Sequence, residues 1–370
     1  MNKFSIAVAA AVAFSGATLA AAQAEVQIAT VGPLTGQYAS FGEQMQRGLE
    51  KAVEDLNANG GVNGEEVVGL VEDDACDPKQ AVAAANKLAG EGVRFVAGHF
   101  CSGSSIPASS VYMESDILQI SPASTNPDFT DKPFEEGWYN VFRTCGRDDA
   151  QGIVAGKYLA ENYESGEIAI LHDKTAYGKG LADQTKAQLN ERGVEEGVYE
   201  AYTAGERDYS ALVSKLKSEG IKAIYVGGYH TEAGLMIRQA RQQNYEPQLV
   251  SGDALVTEEY WNITGDAGEG TIMTFAPDPR KLPEAEELVA DFREDGYEPE
   301  GYTLYTYAAV QVWAQAAEET GSFDTMTLSE AIKGNTFDTV IGEITFDEKG
   351  DPADPNYVWY IWEDGEYSEM

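Results

Sequence analysis

The sequence predicts an α/β protein built from two doubly wound parallel-sheet lobes. Short β-branched runs alternate with segments of helical period from residue 25 onward, the pattern of repeated βα units with helices on both faces of a sheet. That alternation stops over Thr125–Trp138, where Pro127, Pro133 and several acids break any period, and then begins afresh. At roughly 150 residues per domain, a chain of 370 residues accommodates two such units.

In the first unit, Val26–Val31 reads as a strand and Ser40–Asn57 as a helix with Met45, Leu49, Val53 and Leu56 on one face, ended by Gly60-Gly61. Glu66–Val71 (strand), Pro78–Ala89 (helix), Val93–Gly98 (strand), Ser104–Met113 (helix) and Ile117–Ser121 (strand) follow. The second unit runs Glu167–Leu171, Gly180–Glu191, Gly197–Tyr202, Tyr209–Ser218, Ala223–Gly227, Thr231–Gln243 and Gln248–Ser251, strand and helix in turn. A strand at Thr271–Phe275 precedes three helical stretches, Pro283–Glu294, Thr303–Thr320 and Leu328–Lys333. Ile341–Phe346 and Tyr357–Trp362 alternate and are aromatic-rich, which predicts antiparallel edge strands.

Sixty-two acids against 25 Lys and Arg give a net charge of −37. Such a chain has no basic face for nucleic acid, and an anionic membrane surface repels it. The acids are interleaved with apolar residues that make up 43% of the chain, so they read as a solvated, salt-adapted surface over a real core. Met1–Ala24 has one cation, Lys3, an apolar run from Phe4 to Leu19, and Ala22-Gln23-Ala24, the pattern of a secretory signal cleaved after Ala24. Export to an oxidising compartment permits a disulfide among the three cysteines. Cys76 and Cys101 each follow an apolar strand-like run, and neighbouring parallel strands end on the same side, so these two are the expected pair. Cys145 is then a buried free thiol.

No phosphate-binding loop, dinucleotide fingerprint or zincin motif occurs, and His99, His172 and His230 are too dispersed for a metal centre, so no cofactor or metal is expected. His99 beside Cys101 allows a thiol nucleophile with its base, a reading that the expected disulfide opposes. Glu72-Asp73-Asp74 with Asp77 lacks the alternation and glycine of a calcium loop.

Open α/β sheets bind ligands beyond the carboxyl ends of their strands, which directs attention to the loops 32–41, 98–105, 121–125, 172–177, 227–230 and 251–253. Residues 98–105 run from a strand into a helix start, a natural carboxylate seat to which Ser102 adds a hydroxyl; the plain alternative is an N-cap at Ser104 or Ser105. The loop at 121–125 offers a further hydroxyl and the Ala123 carbonyl, and Asp253 brings a carboxylate from the second sheet. A carboxylate seat facing an acid that can hold an ammonium outlines an α-amino-acid site. Tyr38, Phe41, Phe100, Tyr177, Tyr229 and Tyr302 supply apolar walls.

Taken together, Asp73-Asp74-Ala75-Cys76-Asp77-Pro78-Lys79-Gln80-Ala81, Gly98-His99-Phe100-Cys101-Ser102, the 121–125 loop and His172-Asp173-Lys174 with Tyr177-Gly178 form one half of a pattern. Thr203-Ala204-Gly205-Glu206, Gly227-Gly228-Tyr229-His230, Thr306-Tyr307-Ala308-Ala309 and Phe346-Asp347-Glu348-Lys349-Gly350-Asp351 complete it. The pattern resembles the leucine/isoleucine/valine-binding protein family, the branched-chain amino-acid receptors of ABC importers, across nearly the whole chain after residue 24. The resemblance implies the type I periplasmic-binding fold, with a hinge of three crossovers near Arg143–Asp148, Phe275–Asp278 and Ala353–Tyr357. It implies one lobe of residues 25–144 plus 276–354 and another of 145–275 plus 355–370. It also implies that Ser102 and Thr125 bind a ligand carboxylate, that the Ala123 carbonyl and Asp253 share the ammonium, and that Tyr177 and Tyr229 reach in from the second lobe. Phe41, Phe100, Cys101 and Tyr302 are to line the side-chain pocket, with Cys76 and Cys101 bridged. The implied product is a monomeric, non-enzymatic periplasmic receptor that hands a branched-chain or aliphatic amino acid to membrane permease subunits. A sensory receptor of the same fold is the alternative, and a Cys-dependent hydrolase a remote third. The chain departs from the pattern at Asp253, where relatives carry Glu, at Phe41 for Tyr, at Phe100 for Leu, and at Cys145, which has no counterpart.

Overall fold

A computed structural model describes residues 24–370. The segment read as a signal, Met1–Ala24, lies outside the described residues apart from Ala24. In chain order the first unit is β1 (Glu25–Gly32), α1 (Ala39–Ala58), β2 (Glu66–Asp73), α2 (Pro78–Glu91), β3 (Phe95–Gly98), α3 (Ser102–Glu114), β4 (Leu118–Ser121), α4 (Asp128–Glu136) and β5 (Val141–Arg143). The second is α5 (Asp148–Asn162), β6 (Ile168–His172), α6 (Ala176–Glu191), β7 (Val198–Ala201), α7 (Ser210–Ser218), β8 (Ala223–Gly227), α8 (His230–Gln242), β9 (Gln248–Ser251), α9 (Glu258–Thr264) and β10 (Ile272–Phe275). Then come α10 (Glu286–Glu294), α11 (Thr303–Thr320), α12 (Thr325–Gly334), β11 (Thr336–Thr339), β12 (Gly342–Thr345), β13 (Val358–Glu363) and β14 (Glu366–Glu369).

The two sheets repeat one design. The first is ordered β2-β1-β3-β4-β5 and wholly parallel, and the second repeats that order as β7-β6-β8-β9-β10 before adding β13 and β14 antiparallel at its edge. Strands β3, β4, β5, β6 and β8 are buried along their whole length, which is why they read as continuous apolar runs. Chain order reverses between β1 and β3 in one sheet and between β6 and β8 in the other, and a crevice opens at such switch points. After β10 the chain returns to the first sheet, where α11 packs beside α1 and Trp313 stacks on Phe95 with ring centroids 5.4 Å apart. Three passages, over 144–147, 276–285 and 346–357, join the units.

Several expectations change. Residues 125–138 are not wholly irregular: α4 forms there, with Asp128 and Asp131 in its first turn favouring the helix dipole and left-handed Gly137 ending it. Helix α5 carries little apolar signal because its buried face is Gln151, Gly152, Ala155 and Gly156, and the glycines let α6 approach so closely that an added Cβ at Gly152 would lie 2.8 Å from the Gln184 carbonyl carbon. Strands β5, β11 and β14 are only three or four residues long, too short for a period to register. The last two predicted strands enter different sheets, β12 pairing with β11 and β13 with β10 and β14. The strands preceding Cys76 and Cys101 are not neighbours either, since β1 lies between β2 and β3. The bridge forms nonetheless, with Cα atoms 5.5 Å apart, because both chains leave the same end of the sheet.

Candidate ligand-binding site

The loops after β3, β4, β6, β8 and β9 converge on one small pocket between the sheets. Seven of the ten predicted ligand residues line it (Phe100, Ser102, Ala123, Tyr177, Tyr229, Asp253 and Tyr302), together with Ala254, and close it to about 10 Å³ of space open to a water-sized sphere.

On the first-lobe side, α3 begins at Ser102 with no side chain capping it, and Ser104 and Ser105 donate backbone N–H to the Cys101 carbonyl, so neither serine is the cap. Ser102, the first residue of α3, lines the pocket, so the positive end of the helix dipole lies there. Ser102 Oγ accepts from the Asn126 N–H at 3.3 Å, which leaves its own proton to donate. Ser105 instead joins a buried network, its Oγ 2.6 Å from Ser124 Oγ and 3.1 Å from the His99 N–H it accepts. Thr125 does not line the pocket; it sits behind the wall, fully buried, with its Oγ1 unpartnered and its carbonyl accepting from the Asp148 N–H at 2.9 Å.

On the second-lobe side, Asp253 accepts from Tyr177 Oη at 2.8 Å, Gln151 Nε2 at 2.9 Å and Tyr302 Oη. Burial pushes its carboxyl above the usual range, against the pull of those three donors. Asp148, fully buried nearby, is raised well above the usual range by burial and then by the charge of Asp253. Among the described residues no Lys, Arg or His pairs with Asp253. The arrangement presents a desolvated carboxylate whose missing complement is a cation, opposite a helix start whose missing complement is an anion.

Two further predicted lining residues stand one layer back. Phe41 stacks on Phe100, centroids 4.5 Å apart, and stiffens that wall without reaching the pocket. Cys101 is held by Cys76 and accepts from Tyr229 Oη at 3.1 Å, so its sulfur cannot attack anything. His99 is turned away, bonded to Asp74 at 2.7 Å and Tyr112 at 2.8 Å. Cys145 is buried, and burial raises its thiol far above the range of a nucleophile. The acidic run is used locally: Asp73 accepts from the Leu34 N–H, Asp77 caps α2, and among the described residues no group is arranged to hold a metal. Sequence reasoning missed Gln151, Ala254 and Asp148; the first and last lie on α5, whose period was unreadable.

Two repeated sheets with one pocket between their switch points define a bilobal binding protein. The chain belongs to the periplasmic binding protein family, whose model matches residues 25–366. It is 50% identical over 367 residues, 98% of this chain and 97% of the relative, to a protein of Brucella suis named Leu/Ile/Val-binding protein homolog 1. A leucine-binding protein from Thermotoga maritima superposes with a TM-score of 0.85 at 29% identity, covering 93% of this chain and 97% of that one. An ABC transporter substrate-binding protein from Desulfitobacterium hafniense, in complex with Leu, does so at 0.76 and 27%, covering 94% and 100%.

Proposed function

We propose that this protein captures a branched-chain or other aliphatic L-amino acid between lobes 25–144 plus 276–354 and 145–275 plus 355–370, and delivers it to the permease subunits of an ABC importer. The observation that carries the reading is the opposition of Asp253 to the uncapped start of α3 across one small, aromatic-lined pocket. The ligand carboxylate takes the first-turn N–H groups of α3 and the Ser102 hydroxyl, with Thr125 supporting the same wall. Its ammonium takes Asp253 and the Ala123 carbonyl, displacing the tyrosine protons that now satisfy the acid. Its side chain lies against Phe100, Tyr229 and Tyr302. The protein acts in the periplasm after cleavage behind Ala24, and no bond is made or broken.

Binding shifts the lobes toward closure because the closed state makes contacts with the ligand that an open one lacks. Hydrogen bonds to charged groups contribute about 1.5–3 kcal/mol each, while one methylene in an apolar pocket discriminates by only about 1–3 kcal/mol. Selection is therefore firm for the α-amino-acid head group and loose among aliphatic side chains. A thermal-shift panel on the ligand-stripped protein tests this: Leu, Ile or Val raise the melting temperature, whereas analogues lacking the ammonium do not. Equal stabilisation by 4-methylpentanoate and leucine overturns the role of Asp253.

A further inference from the structure

A second set of contacts crosses between the lobes beside the pocket, and the ligand need not touch it. Gln37, in the loop from β1 to α1, donates its Nε2–H to Glu232 Oε1 at 2.9 Å. The same oxygen accepts from the Gly205 N–H at 2.9 Å, in the turn after β7. Thr231 Oγ1 donates to the Gln37 carbonyl at 3.4 Å, and Tyr38 packs on Tyr229 with centroids 4.2 Å apart. Glu232 is fully buried in the first turn of α8, and its Oε2 has no partner. Asp173 Oδ2 and Tyr202 Oη, both more than nine-tenths buried, are equally unpartnered. Neither carboxylate has a Lys, Arg or His partner among the described residues.

We propose that Gln37 and Glu232 form a closing latch, positioning residues that hold the two lobes over a bound amino acid without contacting it. The inference rests on the capture function above. Gln37 sits on the first sheet's loop while Glu232 and Gly205 belong to the second unit, so the Gln37 bond exists only when the lobes meet. Opening returns both partners to water. In the closed arrangement Glu232 and Asp173 are buried with no cation to compensate, which opposes the latch. The groups that face this pair are Tyr38 from the first lobe and Tyr202, Tyr209 and Tyr229 from the second. All four are neutral phenols, so a proton on Asp173 is the available compensation.

Burial, and secondarily the charge of Glu232, pushes the Asp173 carboxyl up to about 6 in the closed structure. A carboxyl raised on closing favours closure fully below its ordinary range, and that contribution is lost as pH rises through the raised value. Leucine release is thus expected to speed up from pH 5 to 7.5 more steeply in the wild type than in Glu232→Gln, a difference from which the titration of Asp253, common to both, drops out.

Stopped-flow release and calorimetric titration of leucine test the latch. Gln37→Ala is expected to speed release about tenfold with the association rate within twofold and the ligand-free melting temperature unchanged. Glu232→Gln keeps the acceptor for Gln37 and removes the charge, so release stays slow and the pH dependence flattens; Glu232→Ala behaves as Gln37→Ala does. Wild-type release rates in both Ala variants overturn the latch, as does an identical pH dependence of release in the wild type and Glu232→Gln. A wild-type protein that binds no amino acid overturns instead the capture reading on which the latch rests.

Discussion

Arg143, at the end of β5, shows how a residue remote from the ligand shapes the site. It is fully buried, with Nε 2.6 Å from Asp351 Oδ1, and donates to the Ser124 carbonyl at 2.5 Å, the Asn126 carbonyl at 3.1 Å and Thr130 Oγ1 at 2.7 Å. Its guanidinium also lies over the Phe129 ring, 5.2 Å from the centroid. The two carbonyls flank Thr125, so the cation anchors the loop proposed to support the carboxylate seat. Arg143→Met keeps the length of the side chain and removes all four polar contacts. Breaking a buried pair from one side typically destabilises by about 3–5 kcal/mol. Asp351 retains Arg147 Nη1 at 2.6 Å and Thr130 Oγ1 at 2.9 Å, which places the loss near the lower end, about 3 kcal/mol. At roughly 2–4 °C per kcal/mol for a unit of this size, the melting temperature falls by about 6–12 °C. Urea unfolding gives the loss directly, and calorimetry on the folded fraction should show leucine affinity about tenfold weaker, the loss of one hydrogen bond to a charged group. Arg143→Met combined with Asp351→Leu is expected to recover part of the stability, since the buried acid that has lost one of its two cations is then gone. A loss under about 1 kcal/mol, or a double variant no better than the sum of the singles, refutes the reasoning.

Asp253→Ala should weaken leucine binding by more than about tenfold, because a charge-assisted contact is removed; unchanged affinity in calorimetry would move the ammonium elsewhere. Reducing Cys76–Cys101, 25 residues apart, should lower stability by about 3.5 kcal/mol on the chain-entropy model, read as a drop in the urea midpoint with dithiothreitol that Cys76→Ser reproduces. Glu300 accepts from the Glu258 N–H at 3.1 Å, and burial pushes its carboxyl up to about 7. Its contribution to stability is whole below the ordinary range of Glu and disappears as pH rises through about 7. Glu300→Gln is therefore expected to stabilise the protein at pH 8 by up to about 3 kcal/mol and to leave it unchanged at pH 4; a pH-independent effect would contradict this.

Much of this architecture is legible along the chain because burial on both faces leaves a one-dimensional trace. Runs such as Ala223–Gly227 and Gln248–Ser251 can only be interior strands, and the loops that follow them carry Tyr229 and Asp253 into the pocket by the geometry of parallel sheets alone. Helix α5 left no such trace, since it packs through Gly152 and Gly156 and buries the polar Gln151. Gln151 reaches Asp253, 102 residues away, and Tyr302 reaches the same acid from α11's approach.

The sequence by itself determined the two βα units, the loops that face each other, the cysteine pair and the residue types suited to an amino-acid zwitterion. Only the tertiary structure decided that Phe41 supports Phe100 from behind, that Thr125 is set back, that Tyr177, Gln151 and Tyr302 share Asp253, and that Gln37 meets Glu232 across the lobes. The reason is physical: periodicity records whether a side chain is buried, while the partner it finds depends on packing among segments that the chain brings together from about fifty to about two hundred residues apart.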